Sequence, residues 1–293
     1  MDTARKTHIV AVGNQKGGVA KTTATCHLAT ALAEMGYSVL IWDLDSNAGA
    51  TKSWGVPQTF LGAYEVMIGD EDPEGVILTN KDDAGKTLPE RVHLIPSRRN
   101  LDNLEIDLRT RNRYADPRDS LKKPLEKLEG TYDFIFLDTA PHVTPATLAA
   151  YKAARWFVMA VTPEPLGVQG MIEALEDIKQ AKEYAGSQID LLGVLMSRVD
   201  KRTRLSTQLV QFVRENFPEN AGAFSTNIGT AVAIANAQEQ GKTVLQTEPM
   251  HRSAEEYRIV ARELAQRLKE RTATPAEAPT ERTEAAGKEV VNG

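Results

Sequence analysis

The chain has 293 residues, 41% of them hydrophobic and 26% charged, a composition ordinary for a folded globular protein and enough for one large α/β domain or two small ones. A net charge of −5 excludes a general cationic field, so any contact with nucleic acid must come from a local patch. The single cysteine, Cys26, excludes an intrachain disulfide and suits a small buried core position.

The first apolar segment, His8-Ile9-Val10-Ala11-Val12, is short and β-branched, as expected of a buried strand. It runs into Gly13-Asn14-Gln15-Lys16-Gly17-Gly18-Val19-Ala20-Lys21-Thr22-Thr23 and then into a helical pattern with Leu28, Ala31, Leu32 and Met35 on one stripe. After Gly36, which suits a helix stop, Ser38-Val39-Leu40-Ile41-Trp42 is a second strand closed by Asp43-Leu44-Asp45. Residues 46–90 offer only short apolar pieces. Val92-His93-Leu94-Ile95 is a short strand, followed by a polar helix carrying Leu101, Leu104 and Leu108.

Phe134-Ile135-Phe136-Leu137-Asp138 is the strongest strand signal, an unbroken apolar run ending in a carboxylate. Trp156–Val161 is another, closed by Pro163 and Pro165. A helix over Gln169–Tyr184, a strand over Leu191–Met196, a helix over Leu205–Asn216, a strand over Ala223–Ile228 and a last helix over Ala254–Glu270 complete the reading. Repeated β-then-α alternation predicts an α/β fold, a mainly parallel twisted sheet with helices on both faces. We expect residues 1–271 to form this domain and 272–293, rich in Thr, Ala, Pro and Glu, to be a disordered tail. The early strand leaves no room for a secretory signal, and no apolar run reaches bilayer length, so the expected location is the cytoplasm.

Strand, glycine-rich loop, Lys-Thr and helix together form a nucleoside-triphosphate site. Paired glycines let backbone N–H groups curl inward onto phosphate oxygens, and the helix N-terminus adds its partial positive charge. In this geometry Lys21 reaches the β- and γ-phosphates and the Thr22 hydroxyl ligates Mg²⁺. The strict pattern Gly-x-x-x-x-Gly-Lys-Ser/Thr fails, because Gln15 and Ala20 occupy its glycine positions and a second lysine, Lys16, opens the loop. Asp43, Asp45 and Asp138 each end an expected strand, where open α/β sheets bind ligands. A MgATP site needs such carboxylates for the metal's water shell and the attacking water.

Asn14-Gln15-Lys16-Gly17-Gly18-Val19 with Lys21-Thr22-Thr23, and Asp138-Thr139-Ala140-Pro141 after its apolar run, resemble the deviant P-loop and Walker B motif of the ParA/MinD family of dimeric ATPases, closest to the ParA (Soj-like) partition branch. The resemblance runs from about residue 7 to 270. It implies an ATPase that uses ATP and Mg²⁺, slow until a partner stimulates it. Lys16 would reach the partner's nucleotide across an ATP-bound homodimer, and Gly17, Gly18, Val19, Ala20, Thr23 and Pro163 would line the nucleotide. Asp45 would orient the hydrolytic water, Thr22, Asp45 and Asp138 would serve the metal, and Asp43 would steady the loop lysines. The family's Asp-Pro-Gln-Gly-Asn-Ala-Thr is written here Asp45-Ser46-Asn47-Ala48-Gly49-Ala50-Thr51.

The same resemblance implies non-specific DNA binding through phosphate neutralisation, nucleoid association, and a ParB-like or small adaptor partner. Its Asp-x-Arg-Thr survives as Asp200-Lys201-Arg202-Thr203, flanked by Arg198 and Arg204, a cluster that also suits a solvated face. Two arginines of its next DNA segment are replaced by Thr230 and Ala233. A MinD-like or cargo-positioning ATPase that does not act on DNA therefore stands as the alternative, with no basic amphipathic helix to favour a membrane. A metabolic P-loop enzyme is the third class. One cysteine excludes an intersubunit iron–sulfur cluster, which needs two per subunit.

Overall fold

The computed structural model describes residues 6–216 and 222–273. In chain order the elements are β1 (His8–Gly13), α1 (Lys21–Glu34), β2 (Val39–Leu44), α2 (Gly49–Ser53), α3 (Ala63–Ile68), α4 (Pro73–Val76) and β3 (Val92–Ile95). Then come α5 (Leu104–Arg111), α6 (Lys122–Leu128), β4 (Phe134–Thr139), α7 (Pro145–Ala153), β5 (Trp156–Val161), α8 (Pro165–Ala185) and β6 (Asp190–Met196). The chain continues through α9 (Arg204–Asn216), α10 (Val232–Glu239), α11 (Val244–Thr247) and α12 (Arg252–Ala273).

The six strands form one sheet in the order β3-β2-β4-β1-β5-β6, every pairing parallel. Strand side chains alternate between faces, and the core divides accordingly. Val10, Val12, Phe134, Phe136 and Val158 face the layer of α1 and α12, whereas Ala11, Ile135, Leu137, Phe157 and Met159 face α7 and α8. Both sets are buried, which explains why these strands read as unbroken apolar runs.

Three expectations need correction. First, α1 is buried almost all round rather than along one stripe, because α11 and α12 cover its outer side, and Met35 is its half-exposed C-cap. Second, Ala223–Ile228 is not a regular strand. It follows β6 through single parallel bridges at Ala223 and Gly229, and between them the Ser225 N–H and hydroxyl both donate to Glu263 of α12. The Phe224 N–H donates to the Val194 carbonyl and the Ile228 N–H to the Met196 carbonyl, so this segment advances further than β6 between the two bonds and a regular ladder cannot continue. Third, the last helix starts at Arg252 and carries Thr272, whose hydroxyl donates to the Leu268 carbonyl. The expected tail from residue 274 lies outside the described residues.

Candidate nucleotide site

All the strands run the same way, so the loops after β1, β2, β4, β5 and β6 converge on one edge of the sheet. The loop after β1 joins α1, whose first residue is Lys21. Lys21 is buried, and its ammonium donates to the Lys16 carbonyl at 3.0 Å, closing the loop on itself. Burial lowers its pKa, and the nearby carboxylates of Asp138 and Asp45 oppose that shift. Gly18 has φ 77°, a left-handed conformation that suits glycine.

Parallel pairing of β2 with β4 sets Asp43 directly beside Asp138. Both are fully buried, and loss of hydration, with Asp138 adding its repulsion to Asp43, raises both pKa values. Asp138 is satisfied by two hydroxyls of α1, Thr22 at 2.8 Å and Thr25 at 3.0 Å. Asp43 accepts from the Thr51 N–H and hydroxyl at 2.9 and 2.7 Å and from the Asp45 N–H at 3.2 Å. These bonds hold the loop between β2 and α2 in place. Asp45, just past the end of β2, accepts from both the N–H and the side-chain amide of Asn47, at 2.9 and 3.0 Å. Asn47, one of the departures from the family spelling, therefore fixes the Asp45 carboxylate.

The third wall is α8. The Asn14 side chain donates to the Ala160 carbonyl of β5 and accepts from the Lys16 N–H, each at 2.8 Å. Gln15 donates to Asp177, and the Lys16 ammonium pairs with Glu164 at 2.9 Å, one residue beyond the buried Pro163. A Cβ on Gly170 would stand 2.5 Å from Asn14 Oδ1, so glycine is what lets α8 approach the loop. Gly17, Val19, Ala20 and Thr23 complete the loop and its helix. Thr23 accepts from Gln238 of α10 at 3.1 Å. Sequence reading missed Thr25, Thr51, Glu164, Asp177 and Gln238, whose partners are not their neighbours in sequence, and Asn47, whose contact is local, with Asp45 two residues back.

The basic residues divide. Arg202 is 88% exposed, but its guanidinium donates two hydrogen bonds to Asp200, at 2.9 and 2.8 Å. Lys201, Arg202 and Arg204 border a shallow depression at the start of α9. Arg198, expected to belong with them, instead donates to the Gly18 carbonyl at 3.2 Å. Ala233 is buried, and Thr230 donates to the Arg198 carbonyl.

A family model described as an AAA domain matches residues 7–191. The chromosome-partitioning ATPase Soj of Thermus thermophilus is 33% identical over 265 residues, 90% of this chain and 98% of Soj. This chain belongs to the ParA/MinD family, close to ParA. The Bacillus subtilis sporulation initiation inhibitor protein Soj is 30% identical over 260 residues, covering 88% of this chain and 98% of that protein. Among solved structures, a Mycobacterium smegmatis protein described as cobyrinic acid a,c-diamide synthase superposes with a TM-score of 0.76 at 26% identity, covering 93% of this chain and all of the other. The expected α/β parallel fold and the ParA-type ATPase reading both hold. Among the described residues no helix is long and apolar enough to cross a membrane.

Proposed function

We propose that this chain is a ParA-type partition ATPase whose ATP-bound form is a sandwich dimer that holds DNA without sequence preference until a ParB-like or small adaptor partner stimulates hydrolysis. The observation that carries the reading is the Thr22–Asp138 hydrogen bond beside buried Lys21 at a glycine-rich helix start. ATP with Mg²⁺ suits this corner: a hydroxyl, carboxylates and phosphate oxygens are the hard donors that Mg²⁺ prefers, with most of its water shell kept. When bound, the ion would neutralise charge on the phosphates. Loop N–H groups and Lys21 bind and orient the triphosphate. Asp45, pinned by Asn47, is set to align the attacking water. Thr22 would hold the ion directly and Asp138, its present hydrogen-bond partner, would hold it through the water shell.

Lys16 is the switch in this scheme. It rests on Glu164 at an exposed ion pair, worth at most about 1 kcal/mol, so a second nucleotide across the dimer could draw it away. On the DNA side Lys201, Arg202 and Arg204 remain the candidate phosphate contacts. The Asp200 partner of Arg202 and the uncharged Thr230 and Ala233 favour the alternative, a cargo-positioning ATPase that does not act on DNA. One experiment separates the readings: sedimentation with ATP, then a mobility shift on non-specific duplex at low salt, for wild type, Lys16→Ala and Arg202→Glu. The partition reading expects an ATP-dependent dimer lost in Lys16→Ala and a DNA shift lost in Arg202→Glu with the dimer intact. A dimer that never shifts DNA gives the cargo-positioning reading, and an unchanged mass with ATP ends the sandwich scheme.

A further inference from the structure

Among the described residues, those other than glycine with positive φ are Ala20 (66°), Ala48 (55°) and Arg198 (57°). All three lie in loops on the sheet edge that carries the P-loop, where strained backbone tends to mark function. Ala20 precedes Lys21, and Ala48 starts α2 beside Asp45. Arg198, after β6, has no such obvious duty, yet its conformation is held from both sides. The Thr230 hydroxyl donates to its carbonyl at 3.0 Å, the Val199 N–H next to it donates to the Ile228 carbonyl at 2.9 Å, and its guanidinium reaches the Gly18 carbonyl.

A peptide unit is planar and trans, so a carbonyl and the next residue's N–H point in opposite directions. A donor that fixes the Gly18 carbonyl therefore also fixes the N–H of Val19 on the other side. Gly18 is in a left-handed conformation, where a glycine peptide is most free to turn over. Lys21 does the same for the earlier part of the loop through the Lys16 carbonyl, which sets the Gly17 N–H.

We propose that Arg198 is a positioning residue of the phosphate-binding loop: through the Gly18 carbonyl it holds the Val19 N–H toward the phosphate side, and Thr230 holds Arg198 in the left-handed backbone that this reach requires. The inference rests on the ATPase reading above. It moves Arg198 from the DNA-contacting set to the nucleotide site. It also accounts for Thr230, which stands where the family pattern has an arginine: its hydroxyl supports a cation from the neighbouring loop.

The test measures binding of a fluorescent ATP analogue with Mg²⁺ to full-length wild type, Arg198→Ala and Arg198→Gly, with Lys21→Ala as the no-binding control. Both Arg198 variants should bind the analogue about 3- to 10-fold more weakly, the loss expected for one charge-assisted hydrogen bond on an exposed loop. Arg198→Gly should also unfold no earlier than wild type, because glycine relaxes the strained backbone. In ¹H–¹⁵N spectra of the nucleotide-free protein the Val19 amide should move in both variants. DNA shifts at saturating ATP should match wild type.

Affinities within twofold of wild type, or a wild-type affinity in Arg198→Gly alone, would overturn the proposal. So would lost DNA binding with unchanged ATP affinity, which returns Arg198 to the phosphate-contacting set. If wild type itself binds no ATP, the ATPase reading fails instead.

Discussion

The P-loop corner and the 198–236 edge use the same kinds of polar residue in opposite ways. In the corner, Asp43 and Asp138 are buried, and Asp138 is bound by Thr22 and Thr25 from far away in sequence, while the half-buried Asp177 and the exposed Glu164 are met by Gln15 and Lys16 of the loop. At the edge, the half-buried Asp200 and the exposed Arg202 satisfy each other two residues apart. Buried polar groups in low dielectric must be matched by geometry, so the corner specifies a single arrangement. The surface pair gains little from its own contact and could exchange Asp200 for a phosphate at small cost. A catalytic site needs the first property and an electrostatic surface tolerates the second.

The largest expected effect tests whether the corner works as a unit. Asp45→Ala should cut ATP turnover about 10²- to 10³-fold, within the range for loss of a group that positions or deprotonates water, while ATP affinity stays within a few-fold. Asn47→Ala should reproduce part of that loss, because Asn47 is what holds the Asp45 carboxylate. Phosphate release and equilibrium binding measured together decide it. If Asp45→Ala abolishes binding as well, the carboxylate supports the loop and does not serve the water.

His27 sharpens the comparison from beside the corner, where α1 packs on α11 and α12. It is fully buried on α1, takes the Thr23 carbonyl on Nδ1 and the Val244 N–H on Nε2, and stacks on Tyr257 at 4.5 Å. Those partners require Nδ1 to carry the proton and Nε2 to stay free, so the neutral ring belongs to the fold. Burial lowers its pKa from 6.5 to about 4. A depressed histidine contributes stability that is complete above the unfolded pKa and is lost as pH falls from about 6.5 to 4. The full span corresponds to roughly 3 kcal/mol at 1.36 kcal/mol per pH unit. Asp43 and Asp138, with raised pKa values, act in the opposite sense in the nucleotide-free protein. The measurement is therefore the stability difference between wild type and His27→Gln by urea unfolding at several pH values. That difference should shrink from pH 7 to pH 4, and a constant difference would mean that the ring is not held neutral.

The strand ends were legible because a parallel strand buried on both faces leaves a long apolar run, and a carboxylate at its end stands out. Lys16, Lys21, Asp43, Asp45 and Asp138 are legible for that reason, together with the glycine-loop spelling. The hydrogen bond from Arg198 to Gly18 is not legible in the sequence, because proximity to Lys201, Arg202 and Arg204 says nothing about where a guanidinium turns. The regular strand expected over Ala223–Ile228 fails because apolar content does not show that the segment slips against β6 between the Phe224–Val194 and Ile228–Met196 bonds. Asn47 departs from the family spelling, and its contact with Asp45 is visible only in the structure.

The smallest effect tests whether the strain at Ala48 belongs to function. Ala48 stands where the family spelling has glycine, and it keeps the left-handed backbone, φ 55°, that a glycine would adopt without strain. A side chain there costs about 1–2 kcal/mol, offset by about 0.5–1 kcal/mol because glycine gives the unfolded chain more freedom. Ala48→Gly should therefore stabilise the protein by about 0.5–1 kcal/mol, a shift of roughly 1–3 °C in Tm for a chain of this size. The Asp45 carbonyl accepts from the Ala48 N–H at 2.7 Å, and the Ala48 carbonyl accepts from the Lys52 N–H, so the backbone path around Asp45 is already set by hydrogen bonds that glycine keeps. Turnover should consequently stay within about twofold, which separates this residue from Asn47 on the same loop. A fall in turnover with the gain in stability would show that the alanine stiffens the Asp45 loop for hydrolysis, and a fall in stability would show that the neighbouring contacts compensate the strain.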